Sequence, residues 1–103
     1  MKYKFNTKTY RSGDTYIKAR TLGSGKPVIL VHGWPETWYS WRHQINPISD
    51  LGYKVIAINM RGYEGSYTPQ EVEKYDMLSL IKDIINIINE ENSEKAILIG
   101  HDW

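Results

Sequence analysis

Two short stretches of the chain combine residue types and spacings that can do chemistry. The first, Gly100-His101-Asp102-Trp103, follows directly on an apolar run. A nucleophile presented on a sharp strand-to-helix turn sits in a Gly-x-nucleophile-x-Gly setting, because the turn is tight and the nucleophile's backbone is strained. Asp102 stands at the nucleophile position, and the second glycine would be the residue after Trp103. Residue type then selects the reaction. A serine that attacked an sp3 carbon would leave an ether, which water does not readily cleave; a carboxylate leaves an ester, which water does cleave. Asp102 therefore points to opening of an epoxide, or displacement of a halide, by alkylation of the carboxylate, with the ester hydrolysed afterwards. That hydrolysis passes through a tetrahedral intermediate on the carboxyl group of Asp102 itself and needs an oxyanion hole.

The second stretch, His32-Gly33-Trp34-Pro35, follows another apolar run. An elbow of this kind takes one backbone donor from the residue after the nucleophile and another from a loop after a neighbouring strand. The candidate donors are the backbone N–H groups of Trp103 and Trp34. Gly33 permits an unusual backbone conformation, and Pro35, which has no N–H, can hold the turn rigid. His32, His43 and His101 read as structural, hydrogen-bonded histidines and not as the acid–base group.

The elements that must position these stretches can be read from periodicity. Tyr3 to Thr7 and Tyr16 to Arg20 alternate as two exposed or half-buried strands, joined through a turn at Arg11-Ser12-Gly13-Asp14. Val28–Val31, Val55–Ile58 and Ala96–Ile99 are short β-branched runs of the kind buried in parallel sheets. Trp38 to Leu51 has apolar residues at 38, 41, 45, 48 and 51 and predicts a short amphipathic helix bent or interrupted by Pro47. Asn59 to Lys74 reads as a long loop. Asp76 predicts an N-cap for a helix whose apolar face runs through 77, 81, 84, 85 and 88, widened by Leu80 and Ile87. The expected fold class is α/β: a β-hairpin followed by parallel β-α-β-α-β, with helices on both faces of the sheet.

Three motifs in this order resemble one family. His32-Gly33-Trp34-Pro35-Glu36-x-Trp38-Tyr39-Ser40-Trp41-Arg42-His43-Gln44, Arg61-Gly62-Tyr63-x-Gly65-Ser66 and Gly100-His101-Asp102-Trp103 resemble segments of epoxide hydrolases of the α/β-hydrolase fold, over roughly Pro27 to Trp103. Two positions depart from the pattern: Glu64 stands where the family loop usually has Gly, and Asn59 where many relatives have Asp. The resemblance implies that residues 1–103 are the amino-terminal portion of one hydrolase domain, with the fold incomplete and the cap and carboxyl-terminal half absent. It implies a small apolar epoxide and water as reactants. It also implies that the catalytic His, its acid and the cap tyrosines follow residue 103, so that Ala96–Ile99, central in the whole fold, becomes an exposed apolar edge here and the fragment alone is poorly stable and inactive. A haloalkane or haloacid dehalogenase would share the Asp nucleophile. A truncated, non-catalytic chain using exposed Trp residues as contact anchors is the alternative of a different class.

Composition excludes other classes. The net charge of +1 offers no field for nucleic acid or an anionic membrane. The absence of cysteine removes disulfides, thiolate chemistry and Cys-ligated metal, and fits a reducing, cytoplasmic setting. No run approaches the ~18 apolar residues of a membrane span. The three histidines have no ligand spacing, and Gly23-Ser24-Gly25-Lys26-Pro27 precedes a strand instead of opening a helix, which disfavours metal and phosphate sites. No cofactor is expected.

Overall fold

A computed structural model of the chain describes residues 5–33 and 36–101. Five strands form one mixed sheet: β1 (Asn6–Ser12), β2 (Thr15–Leu22), β3 (Lys26–Val31), β4 (Tyr53–Ile58) and β5 (Ile97–Gly100), in the order β1-β2-β4-β3-β5. Two helices, α1 (Ile45–Asp50) and α2 (Met77–Glu90), connect the parallel strands, and short 3-10 turns occupy Trp38–Trp41 and Val72–Tyr75.

β1 and β2 pair antiparallel through a two-residue connection, with Ser12 opposite Thr15. Gly13 takes the first position of that turn at φ 60°, as a type II′ hairpin requires. The first strand thus runs further along the chain than the expected Tyr3–Thr7, of which Tyr3 and Lys4 lie outside the described residues, and Arg11 and Ser12 belong to it and not to the turn. The two-residue turn fixes this register, which carries Tyr10 across from Ile17 and into the core. β2 alternates buried and half-buried residues and joins β4 antiparallel, with Ala19 opposite Ile58. β3 lies between β4 and β5 and is parallel to both.

Strand alternation sorts the core onto two faces. Ile29, Ile56 and Ile58 join Tyr10, Ile17 and Ala19 beneath Ile87 of α2. Val28, Leu30, Val55 and Ala57 face the other way, against Ile45 and Ile48 of α1. The expected layering, with a helix on each face, is therefore present.

Three expectations need correction. The segment from Trp38 to Leu51 is two pieces, a 3-10 turn and then α1, with the break before Pro47. As the third residue of α1, Pro47 lacks an N–H only where a helix has no acceptor for one, but its ring opposes extension of the helix back through His43. α2 begins where expected, with the Asp76 carboxylate accepting the Ser79 N–H at 3.1 Å. Its seated face, however, is Leu80, Asp83, Ile84, Ile87 and Ile88, while Met77, Ile81 and Ile85 are exposed. The buried Asp83 accounts for the rotation, because it is drawn inward by Arg61. Finally, β5 is not buried: all four of its residues are exposed at the sheet edge. An open apolar edge, also expected for a chain of this extent, is what the structure contains.

Candidate active site

The chain runs from β3 through α1 to β4 on one side, then over α2 to β5 on the other. The strand order therefore reverses between β3 and β5. In open α/β sheets the crevice beyond the carboxyl ends of the strands at such a reversal is where ligands bind. Val31 lies opposite Gly100, and the His101 N–H donates to the Val31 carbonyl at 3.0 Å. The two stretches singled out for chemistry thus leave the sheet side by side. Trp34, Pro35, Asp102 and Trp103 lie outside the described residues. His32, Gly33, Glu36 and His101, which flank them in sequence, are described.

His32 is fully buried. Its Nδ1 donates to the Gly33 carbonyl at 3.0 Å, and its Nε2 accepts the Met60 N–H at 3.0 Å. A carbonyl can only accept and an N–H only donate, so the ring is the neutral Nδ1–H tautomer. Burial lowers its pKa from 6.5 and outweighs the opposing Gly33 bond and the Glu36 charge. Tyr63 stacks edge-on against the ring at 4.4 Å. Through these two hydrogen bonds His32 joins the start of the loop after β3 to the loop after β4.

Gly33 is closed against Glu36 in both directions. The Glu36 N–H donates to the Gly33 carbonyl at 2.8 Å, and the Gly33 N–H donates to Glu36 Oε1 at 3.3 Å. The same Glu36 oxygen lies 3.1 Å from His101 Nδ1. Glu36, Ser40, Trp41, Gln44 and His101 line an open hollow of about 330 Å3 at this end of the sheet.

The loop after β4 acts as a buttress. Arg61 makes a bidentate, buried ion pair with Asp83, Nε–Oδ2 and Nη2–Oδ1 both at 2.7 Å, and Nη1 donates to the Lys74 carbonyl at 2.6 Å. The bond to Asp83 raises the Arg61 pKa. Ser66 donates to the Asn59 carbonyl at 2.6 Å and accepts the Lys18 N–H at 2.9 Å.

The two departures from the family pattern meet here. Asn59 Oδ1 accepts the Trp38 N–H at 2.8 Å, while Nδ2 donates to the Glu64 carbonyl at 2.8 Å. An ionised Asp could make the first bond but not the second. Gly62 and Gly65 of this loop are both left-handed, at φ 90° and 82°, and a Cβ at Gly65 would meet Lys18 Cδ.

Sequence reasoning named Glu36 and Asn59 within or beside the motifs but not their partners, and missed Asp83. For Asp83 a signal was present: a carboxylate between Leu80, Ile84 and Ile87 on a helix face calls for a buried cationic partner. Nothing in the spacing of Glu36 pointed to His101, 65 residues away. Among the described residues no group of three or more His, Asp or Glu side chains is disposed to hold a metal ion, and no helix is long and apolar enough to cross a membrane.

Comparison with known proteins matches residues 26–103 to the α/β hydrolase fold family. The chain is 43% identical over 100 residues to epoxide hydrolase A of Mycobacterium tuberculosis, covering 92% of this chain and 31% of that protein. It is 44% identical over 82 residues to bifunctional epoxide hydrolase 2 of Sus scrofa, covering 80% of this chain and 15% of that one. The crystal structure of epoxide hydrolase A from Mycobacterium thermoresistibile superposes with a TM-score of 0.92 at 37% identity, over 97% of this chain and 32% of that one. The chain spans a third or less of the length of these relatives.

Proposed function

The chain belongs to the α/β hydrolase fold family, and on that premise we propose that it is the amino-terminal portion of an epoxide hydrolase with Asp102 as nucleophile. The observation that carries the proposal is the parallel pairing of β3 with β5, which brings the residues preceding Trp34 and Asp102 to one end of the sheet. Relatives named epoxide hydrolases support the choice of substrate over a halogenated alkane.

In the proposed reaction an Asp102 carboxylate oxygen attacks an epoxide carbon. The ring C–O bond breaks, and its oxygen takes a proton from a donor outside these 103 residues. Water then adds to the carboxyl carbon of the ester, losing its proton to a base that also lies outside them. The oxyanion is held by the backbone N–H groups of Trp34 and Trp103. Collapse expels the alkoxide, which takes the proton of the added hydroxyl to give the diol and the free carboxylate, while the base's proton restores the donor; because donor and base lie outside them, these 103 residues alone do not turn over. The cysteine-free sequence suits a cytoplasmic enzyme that binds a small apolar epoxide and neither nucleic acid nor cofactor.

The test begins with the DNA after codon 103. A frame that continues with Gly and later supplies tyrosines, an acid and a His fits the proposal; a stop codon there removes it for this product. Single turnover of the protein from the complete frame in H2-18O then reads the mechanism. The ester route puts solvent oxygen into Asp102 and leaves the first diol unlabelled, whereas direct attack by water labels the diol. Asp102→Asn abolishes turnover.

A further inference from the structure

We propose that Glu36 is a positioning residue that ties the loop after β3 to the end of β5, with His101 as its partner; this rests on the epoxide-opening role of Asp102 proposed above. One carboxylate oxygen, Oε1, serves both sides. It accepts the Gly33 N–H at 3.3 Å and meets His101 Nδ1 at 3.1 Å. Gly33 immediately precedes Trp34, and His101 immediately precedes Asp102. The backbone on each side is anchored as well, by the Glu36 N–H on the Gly33 carbonyl at 2.8 Å and the His101 N–H on the Val31 carbonyl at 3.0 Å. Trp41 stands edge-on to the His101 ring at 6.4 Å. Ser40, Trp41 and Gln44, the remaining described residues lining the hollow, carry no charge, so among the described residues Glu36 and His101 face each other there as its titratable groups.

The exposure of the pair tells what it is for. The side chains of His101 and Glu36 are 62% and 34% exposed, and a polar contact so open to water adds little to stability. The tie still fixes the separation of two loops whose backbone donors must meet one oxyanion, and catalysis falls steeply with small misplacements. The two half-reactions need it unequally. Alkylation of Asp102 removes negative charge from the carboxylate, whereas hydrolysis of the ester builds an oxyanion on it. Loss of the tie therefore slows the second step and leaves the alkyl-enzyme to accumulate.

The test uses the protein from the complete reading frame, with an epoxide substrate. Glu36→Leu is expected to lower kcat about ten-fold or more at an unchanged melting temperature. Intact-protein mass spectrometry under turnover should show enzyme plus epoxide as the main species. Glu36→Gln keeps an acceptor for both N–H groups and is expected to recover most of the rate. His101→Ala should match Glu36→Leu, and the double variant should be no slower than either single. A Glu36→Leu enzyme with parental kcat and no accumulated ester overturns the tie while Asp102→Asn still reports on the nucleophile. If the parent opens no epoxide, the functional proposal fails instead. The Gly33 amide resonance then decides the tie alone: a shift on His101→Ala that is absent when Glu36 is already Leu upholds it, and a resonance indifferent to His101→Ala overturns it.

Discussion

β3 and β5 are neighbouring parallel strands of nearly the same composition, with Val28, Ile29 and Leu30 in register with Ile97, Leu98 and Ile99. Their surroundings differ. Ile29 and Leu30 are 0% exposed, between two strands and under a helix on each face, whereas Leu98 is 56% exposed on an edge with one neighbour. An apolar run thus states what surface must be covered and leaves open what covers it. The same contrast recurs within α2, where Ile87 is sealed against the sheet and Ile81 looks outward beside Met77 over an apolar hollow of about 440 Å3.

The contrast is broken most directly by truncation. In the 103-residue chain, Leu30→Ala is expected to cost about 3 kcal/mol in urea unfolding, and Leu98→Ala less than about 1 kcal/mol. Equal losses would mean that β5 is covered in solution. Within α2, Ile87→Ala should cost about 2 kcal/mol and Ile81→Ala under about 0.5 kcal/mol by the same measurement.

Acid probes the covered side through two buried groups. Burial opposes ionisation of Glu91, but the bonds from Lys54, Tyr10 and Lys8 outweigh it and bring its pKa from 4.5 to about 2. A depressed carboxyl stabilises the fold above its unfolded value and ceases to as pH falls through the folded one. Stability should therefore drop by about 2 kcal/mol between pH 5 and pH 2, a loss that Glu91→Gln flattens. His32, held neutral by burial, has its pKa lowered from 6.5, so its contribution is present above that value and declines below it; thermal melts between pH 7 and pH 5 should show this smaller loss. The slightest effect on stability belongs to the open edge. Leu98→Lys should leave the melt unchanged while reducing light scattering at high concentration, since a charge on an edge strand discourages pairing with another chain.

Much of the fold was legible because it depends on local pattern. The β-branched runs marked the parallel strands to within two residues, and Asp76 marked the start of α2. The rotation of α2 was signalled only by Asp83 on its apolar side; the partner that draws it in, Arg61 22 residues away, was not legible. The break in the segment from Trp38 to Leu51 was half legible: Pro47 announced an interruption, but its place follows from the backbone upstream of the ring. At the candidate site, His32 and Gly33 were found by their position after a buried strand. Glu36 was not, since its meaning arises only when two strand ends far apart in sequence become neighbours.

Glu91 has a further consequence, for the order in which the chain comes together. Just past the last turn of α2, its carboxylate gathers Lys8 and Tyr10, 83 and 81 residues away, and Lys54, 37 residues away. Closing loops of that length costs entropy that no local contact returns, so the carboxylate finds these partners only after the hairpin and the β3-α1-β4 unit have docked. It acts as a late latch. Removing it should leave the refolding rate nearly untouched and shorten the lifetime of the folded chain.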